Sequence, residues 1–319
     1  MNPLYLTEGD VTSTLSVRDA LGVVQDAALA LAEGRAQNRP RQRAFTTSAM
    51  IHVLVATYGG RMGHKTYTVA PRGRGPRFWV TLFDETGEML ALIEGDALGQ
   101  IRTGAASGLA TRVLAREDSK TLGVIGTGWQ ARSQLEAVVH VRPISQVLVY
   151  GRDAARRELF CEEMTARTGV PVNGVASARE AVAEADVVVT MTNANAPVLE
   201  GAWLRPGTHV NAAGSNRANA QEVDVETIRR ASIIAIEDLA QAHVESGDLI
   251  AAADQGAWSW DSASLLSDVV AGKAPGRTSD EQITLFESLG IGLWDVAAAS
   301  FIFDACVIEG RGTKLPIPS

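Results

Sequence analysis

Cysteine, surplus positive charge and long apolar runs are all scarce in this chain, and each shortage excludes a class of protein. Two cysteines, Cys161 and Cys306, stand far apart in 319 residues, which makes neither a disulfide framework nor a metal-ligand spacing. Both fall in helix-like stretches and read as buried thiols. Five histidines (His52, His64, His140, His209 and His243) form no H-x-x-x-H pair and have no acidic cluster beside them, so no zinc site is expected. The formal net charge is −8, whereas a nucleic-acid binder carries a basic balance or a basic stripe. The densest basic stretch, Arg35 to Arg43 with four arginines in nine residues, is too short for that role. It reads as a polar loop suited to holding a small anion. No apolar stretch reaches the ~18 residues needed to span a bilayer. The N-terminal MNPLYLTEGDV has no basic segment followed by an apolar one, unlike a secretory signal. The expected protein is soluble and cytoplasmic, with neither nucleic acid nor membrane as partner.

What is present suits a packed protein of two domains. Apolar residues make up 46% and charged residues 21%, a composition that builds a core and argues against disorder. The length exceeds one typical domain of ~100–200 residues. Residues 16–34 have helical periodicity with Gly34 as a stop. Short β-like runs follow at Ile51 to Thr57, Lys65 to Val69, Phe78 to Phe83 and Met89 to Ile93, separated by turn signals at Gly59-Gly60, PRGRGP and DETG. This part reads as a small α+β domain. Asp96 is placed to cap a helix rich in Ala, Gly and Ser, DALGQIRTGAASGLATRVLA, which suits close packing and a junction between domains. From Thr121 apolar runs of strand length alternate with helical segments: TLGVI, QVLVY, VPVNGV, DVVVTMT, THVNAA and SIIAI. Such runs indicate a parallel sheet covered on both faces, the doubly wound α/β architecture of Rossmann type. Ile291 to Gly310 reads as a long returning helix. The expected division is a substrate-binding and dimerisation domain from residues 1–112 with 292–319, and a dinucleotide-binding domain from residues 113–291.

The segment TLGVIGTGWQARSQLEAV carries the sharpest chemical signal. A strand runs into Gly126-Thr127-Gly128-Trp129-Gln130-Ala131 and a helix follows, which is G-x-G-x-x-A in its required setting. Gly126 serves the tight turn, Gly128 lets the backbone approach a diphosphate, and Ala131 lets helix and strand pack closely. The helix N-terminus points its N–H groups at the phosphates. The second strand ends in Gly151-Arg152-Asp153. An arginine there receives a ribose 2′-phosphate, whereas an acid bonds the free 2′-hydroxyl. Arg152 therefore leans the expectation to NADP, while Asp153 keeps NAD open or simply caps the next helix. Thr103, Thr192, Ala213 and Gly214 are further cofactor candidates, the last three at strand ends on the ligand-binding edge of the sheet. Trp79 and Trp129 are candidates for the pocket lining.

Beyond these readings, LALIEGDALGQIRTGAASGLATRVLA followed by GVIGTGWQA resembles the ornithine cyclodeaminase / mu-crystallin family. GHKTYT, HVNAAGS and ITLFESLGIGLWD extend the resemblance over nearly the whole chain. The family contains cyclodeaminases acting on ornithine or lysine, dehydrogenases acting on alanine or arginine, and ketimine reductases, iminosuccinate reduction among them. All exchange a hydride at the α-carbon of an amino acid, and members are typically homodimers paired through the non-nucleotide domain. The resemblance implies that Arg102 grips the substrate α-carboxylate, that Lys65 lies beside the substrate with a pKa tuned for proton transfer, and that an N-terminal arginine also binds carboxylate. Arg43 is ranked first for that place, with Arg41 its competitor. His64 cannot join Lys65, because strand neighbours point to opposite faces.

One departure carries weight. Where the cyclodeaminases have an acid after the glycine of the NAAGS-like segment, this chain has Asn216, and an amide cannot accept a proton at neutral pH. The expectation is thus NAD(P)H-dependent reduction of a small imino acid, or the reverse amino-acid dehydrogenation. Arg41 and Arg61, as extra cations, hint at a dicarboxylate such as iminosuccinate. The alternatives are a cyclodeaminase with recycled NAD and a non-catalytic NADP-binding protein like mu-crystallin.

Overall fold

The computed structural model describes residues 2–70 and 75–316, so most of the expected PRGRGP turn lies outside the described residues. The chain divides into two compact units, Met1–Thr103 with Ile291–Ser319, and Gly104–Gly290. In the first, β1 (Leu4–Leu6), α1 (Glu8–Thr14) and α2 (Val17–Ala32) precede five strands: β2 (Gln37–Phe45), β3 (Met50–Tyr58), β4 (Arg61–Val69), β5 (Arg77–Asp84) and β6 (Met89–Glu94). Helix α3 (Asp96–Leu114) then crosses the division between the units.

The second unit alternates β7 (Thr121–Ile125), α4 (Trp129–Val141), β8 (Gln146–Tyr150), α5 (Ala154–Thr168), β9 (Val172–Gly174), α6 (Ala178–Ala183), β10 (Val187–Thr190), β11 (His209–Ala212), α7 (Val225–Arg230) and β12 (Ala231–Ile236). It closes with α8 (Leu239–Glu245), α9 (Gly247–Asp254), β13 (Ala263–Leu265), α10 (Leu266–Val270) and β14 (Ile283–Glu287). Helix α11 (Gly292–Glu309) and strand β15 (Thr313–Lys314) return to the first unit.

The first sheet has the order β15-β1-β6-β5-β4-β3-β2, with β2 to β6 an antiparallel meander. Alternation sorts its faces. His52, Leu54 and Ala56 on β3 stand opposite Tyr67, Lys65 and Gly63 on β4, and all six are buried. Ile51, Val55 and Met62 fall on the other face and are exposed. Helices α1 and α2 begin with reciprocal side-chain caps, Thr7 with Asp10 and Ser16 with Asp19, the arrangement that satisfies the free N–H groups of a helix start.

Two local expectations are corrected. The arginine-rich stretch is not a loop: Gln37–Phe45 is the edge strand β2, and an edge strand pairs on one side only and tolerates charge on its other positions. Nor does Asp96 cap α3. It is the first helical residue, and the cap is the Glu8 carboxylate, which accepts the N–H groups of Asp96 and Ala97 at 2.7 and 2.9 Å. An anion at a helix N-terminus is favoured whichever segment brings it.

The second sheet, ordered β13-β12-β14-β11-β10-β7-β8-β9, is parallel at every pairing among the described residues. Its central strands are buried on both faces: Val187 and Val189 enter one apolar cluster and Val188 the other. Burial of each such side chain contributes ~1.5–3 kcal/mol, which is why these runs lack polar alternation. The chain reverses its progress across the sheet at β7 and β10, and ligands of open parallel sheets bind beyond the carboxyl ends of strands at such a point.

Candidate active site

In the first unit Lys65 stands in the middle of β4 and is 4% exposed. Its Nζ lies 3.1 Å from Oδ1 of Asp295, in the first turn of α11. The same oxygen accepts the Nε–H of Arg102, on the second turn of α3, at 2.9 Å. Asp295 is fully buried and its Oδ2 has no hydrogen-bond partner, and neither has Nη1 of Arg102. The ammonium also sits 5.0 Å from the ring centre of Phe78, a favourable cation–π distance. Next along the same face, Arg41 donates from Nη1 to the Tyr67 hydroxyl, and His52 stacks on Tyr67 with ring centres 4.2 Å apart. Thr103 turns its hydroxyl back onto the Gly99 carbonyl at 2.6 Å.

Electrostatics follow from this crowding. Burial pushes the Lys65 ammonium down to about 8. The Asp295 carboxylate opposes that fall, while the Arg102 and Arg41 charges reinforce it. Burial, helped by Arg41 and Arg43, lowers His52 to about 4 and keeps it neutral. The site thus gathers cations around one carboxylate, in a setting of low dielectric where the imbalance calls for an anion.

Lys65, Arg102 and Arg41 come together here, with Arg43 opposite His52 in the strand register. Asp295 was missed from sequence, although a lone acid in the apolar run LWDVAAASFIF was its signal, because Asp is rarely buried unless paired. Two expectations are corrected. Arg61 is no substrate cation: its guanidinium is bound to Asp304 at 2.6 and 2.9 Å and to the Ser300 carbonyl. Trp79 pairs with Thr66 on the face opposite Lys65 and packs near Tyr5 instead, so Phe78 takes the place beside the ammonium.

In the second unit Gly126 leaves β7 with φ +118° and donates its N–H to the Tyr150 carbonyl at 2.9 Å. Any β-carbon there would collide with the Met191 carbonyl beyond β10. Gly128 is the N-cap of the thirteen-residue α4, with no side chain capping that helix, and a β-carbon on it would meet nothing within 4 Å. A long helix therefore presents uncapped N–H groups to open space at the switch point of the sheet, which fits a diphosphate. Trp129 is half exposed at the helix start, Gln130 follows it, and Ala131 is buried against β7 and β8. Thr127 packs at the end of β8, where a β-carbon on Gly151 would lie 2.9 Å from it. Arg152 is exposed. Asp153 caps α5, accepting the Arg156 N–H at 3.0 Å.

Sequence reasoning also missed Glu222, which ties the ends of β10 and β11. It accepts the N–H and the hydroxyl of Thr192, each at 2.6 Å, the Thr190 hydroxyl at 3.0 Å and the Gly214 N–H at 2.6 Å. Nothing in the local sequence AQEVD marks it. Ala213 donates to the Thr190 carbonyl at 3.0 Å, and Asn216 lies in the loop beyond Gly214. Behind Glu222, Asp248 accepts the N–H groups of Glu222 and Val223 at 2.9 and 3.0 Å, and burial raises it to about 7. Glu287, at the end of β14, takes the Ser246 hydroxyl at 2.7 Å. Burial first and then the Asp248 charge raise it well above the ordinary range.

The chain is similar to known proteins over nearly its whole length. The sequence model of the ornithine cyclodeaminase/mu-crystallin family matches residues 1–309. A Δ1-pyrroline-2-carboxylate reductase of Bacillus cereus is 39% identical over 275 residues, 84% of each chain. The solved Δ1-pyrroline-2-carboxylate reductase of Thermococcus litoralis, in complex with NADH and L-proline, superposes with a TM-score of 0.93 at 34% identity, covering 98% of this chain and 100% of that one. An archaeal alanine dehydrogenase dimer with bound NAD superposes with a TM-score of 0.94 at 32% identity, covering 100% of both chains.

Proposed function

We propose, for a chain that belongs to the ornithine cyclodeaminase/mu-crystallin family, that it reduces a small α-imino acid to the amino acid with a nicotinamide cofactor and catalyses the reverse dehydrogenation. The observation that carries this reading is the pair of buried cations, Lys65 and Arg102, sharing one Asp295 oxygen while Arg102 Nη1 has no partner. A substrate carboxylate completes that set, since a guanidinium edge matches a carboxylate. Arg41, buried on the same face, is the better second arginine than the less buried Arg43.

The residues Gly126 to Ala131 would hold the cofactor diphosphate, with Thr192, Ala213 and Gly214 on the adjoining strand ends. Bound NAD(P)H supplies the hydride that the imine carbon accepts. Lys65, whose pKa of about 8 is near the working pH, gives the proton to the imine nitrogen and regains one from water. Asn216, an amide where the cyclodeaminases have an acid, offers no base, which favours simple reduction over deamination with ring closure. Residues 1–112 with 292–319 then form the substrate domain and residues 113–291 the nucleotide domain. Exposed Arg152, beside an Asp153 engaged as a helix cap, supports NADP over NAD. The exposed apolar face of Ile51, Val55 and Met62, and the dimeric state of a similar structure, support a homodimer.

The test is oxidation of NADPH and of NADH with Δ1-pyrroline-2-carboxylate, and with 2-oxo acids plus ammonia or methylamine. The expected result is faster oxidation of NADPH with the cyclic imine, with the preference erased by Arg152→Ala. Proline and ammonia formed from ornithine without added acceptor would replace this reading with a cyclodeaminase. No oxidation above background with any imine would replace it with a binding protein.

A further inference from the structure

Two cations converge on Oδ1 of Asp295 while its Oδ2 is left without a partner. An Asp–Arg pair built for stability uses the guanidinium as a two-pronged fork. Here Arg102 reaches Asp295 through Nε at 2.9 Å and leaves buried Nη1 unbonded. The carboxylate therefore orients Arg102 without consuming it, and brings the Lys65 ammonium alongside.

The surroundings of Lys65 show what else the carboxylate does. Arg102 of α3 and Arg41 of β2 add positive charge. His52 of β3 is held neutral, Tyr67 lies two residues along β4, and β5 contributes the uncharged Phe78. Among the described residues, Asp295 of α11 is the group whose charge and hydrogen bond favour the ammonium there.

Resting on the reductase reading above, we propose that Asp295 is a positioning residue of the reaction. It sets Lys65 and Arg102 side by side through one oxygen, and its charge keeps Lys65 in the protonated form from which the imine nitrogen takes its proton. Without it, burial and two arginines act on the lysine unopposed, and the ammonium is lost at a lower pH.

The sequence makes the test direct, because it holds four lysines: Lys65, Lys120, Lys273 and Lys314. In protein labelled with 13C-lysine, the Lys65 side-chain resonance is identified by its loss in Lys65→Met and followed against pH. It should titrate ~1–3 pH units lower in Asp295→Asn, the size of effect a neighbouring opposite charge exerts. The alkaline limb of the kcat/KM profile for imine reduction should move down with it, and Asp295→Glu should restore the limb. Asp295→Ser, smaller and also neutral, serves if the Asn variant does not fold. Unchanged Lys65 titration in the neutral variants would overturn the proposal, whatever their activity. A wild-type protein inactive on every imine would instead overturn the functional reading, with the resonance shift still deciding the electrostatic role.

Discussion

A β-carbon at position 99 would lie 2.6 Å from Nζ of Lys65. Gly99, on the first turn of α3, is thus the floor on which the ammonium rests, and the missing side chain is part of the site. Gly99→Ala improves a helix interior by ~0.5–1 kcal/mol, and the atom it displaces is the flexible end of a lysine. The expected outcome is an unchanged or raised Tm together with a fall in kcat/KM of about tenfold, the effect of ~1.4 kcal/mol. A fall in Tm would show that the helix, not the lysine, needs the glycine.

Lys65→Met separates function from stability. The ammonium is carried at a cost, since burial lowers it to about 8 against 10.5. Between those values the unfolded chain binds a proton that the folded chain does not, so this group adds stability as pH rises from about 8 to 10.5. Replacing it with a similar apolar side chain leaves Asp295 paired with Arg102. Reduction should fall by ~10²–10⁴-fold, the range of a lost proton donor, while the Tm near neutral pH stays level or rises. Calorimetry beside steady-state rates checks both.

Gly126 and Gly128 should fail differently. At Gly128 the backbone has φ −81° and ψ −179°, which any residue adopts, and an added β-carbon meets no protein atom. Gly128→Ala should keep its Tm and weaken NAD(P)H binding by an order of magnitude or more. Gly126→Ala, strained at φ +118° and blocked by Met191, should lose stability by ~1–3 kcal/mol. Fluorescence titration of the nucleotide and thermal melts distinguish the two.

The acids behind the nucleotide loop predict an alkaline weakness. Asp248 is raised to about 7 and Glu287 well above the usual range, by burial first. A carboxyl protonated in the folded chain and ionised in the unfolded one loses stability as pH climbs from its unfolded pKa toward its folded one. For Asp248 that window runs from 3.8 to about 7, and for Glu287 it extends higher. Glu287→Gln mimics the protonated acid, so its Tm should match wild type near pH 5 and exceed it by a few degrees near pH 8. Equal slopes of Tm against pH would count against a buried proton at Glu287.

How much of this could be read from sequence depended on how local each signal was. The strands from Thr121 to Ile125 and Gln146 to Tyr150 announce themselves as unbroken apolar runs, and the glycine loop between them has its spacing written into it. Strand β2 hid because its three arginines carry no strand pattern; only the edge position, a property of the assembled sheet, makes them acceptable there. The Asp96 cap was misplaced for a similar reason, since the true cap arrives from Glu8, 88 residues earlier. Lys65 and Arg102 were visible through short motifs, but the carboxylate that joins them lies 193 residues beyond Arg102. Arg61 looked available because Asp304, 243 residues away, is invisible to any local window.

That separation bears on how the protein is made. Lys65 and Asp295 are 230 positions apart, and the whole second unit is threaded between them. A ribosome therefore releases Lys65 and Arg102 long before their shared counter-charge exists. Until α11 emerges, these two cations lack the carboxylate they share, and the apolar face of the sheet lacks the helix that packs on β3, β4 and β5. Joining the last helix to this sheet therefore closes a loop of more than two hundred residues, at an entropic cost that grows only slowly with the length of the intervening chain.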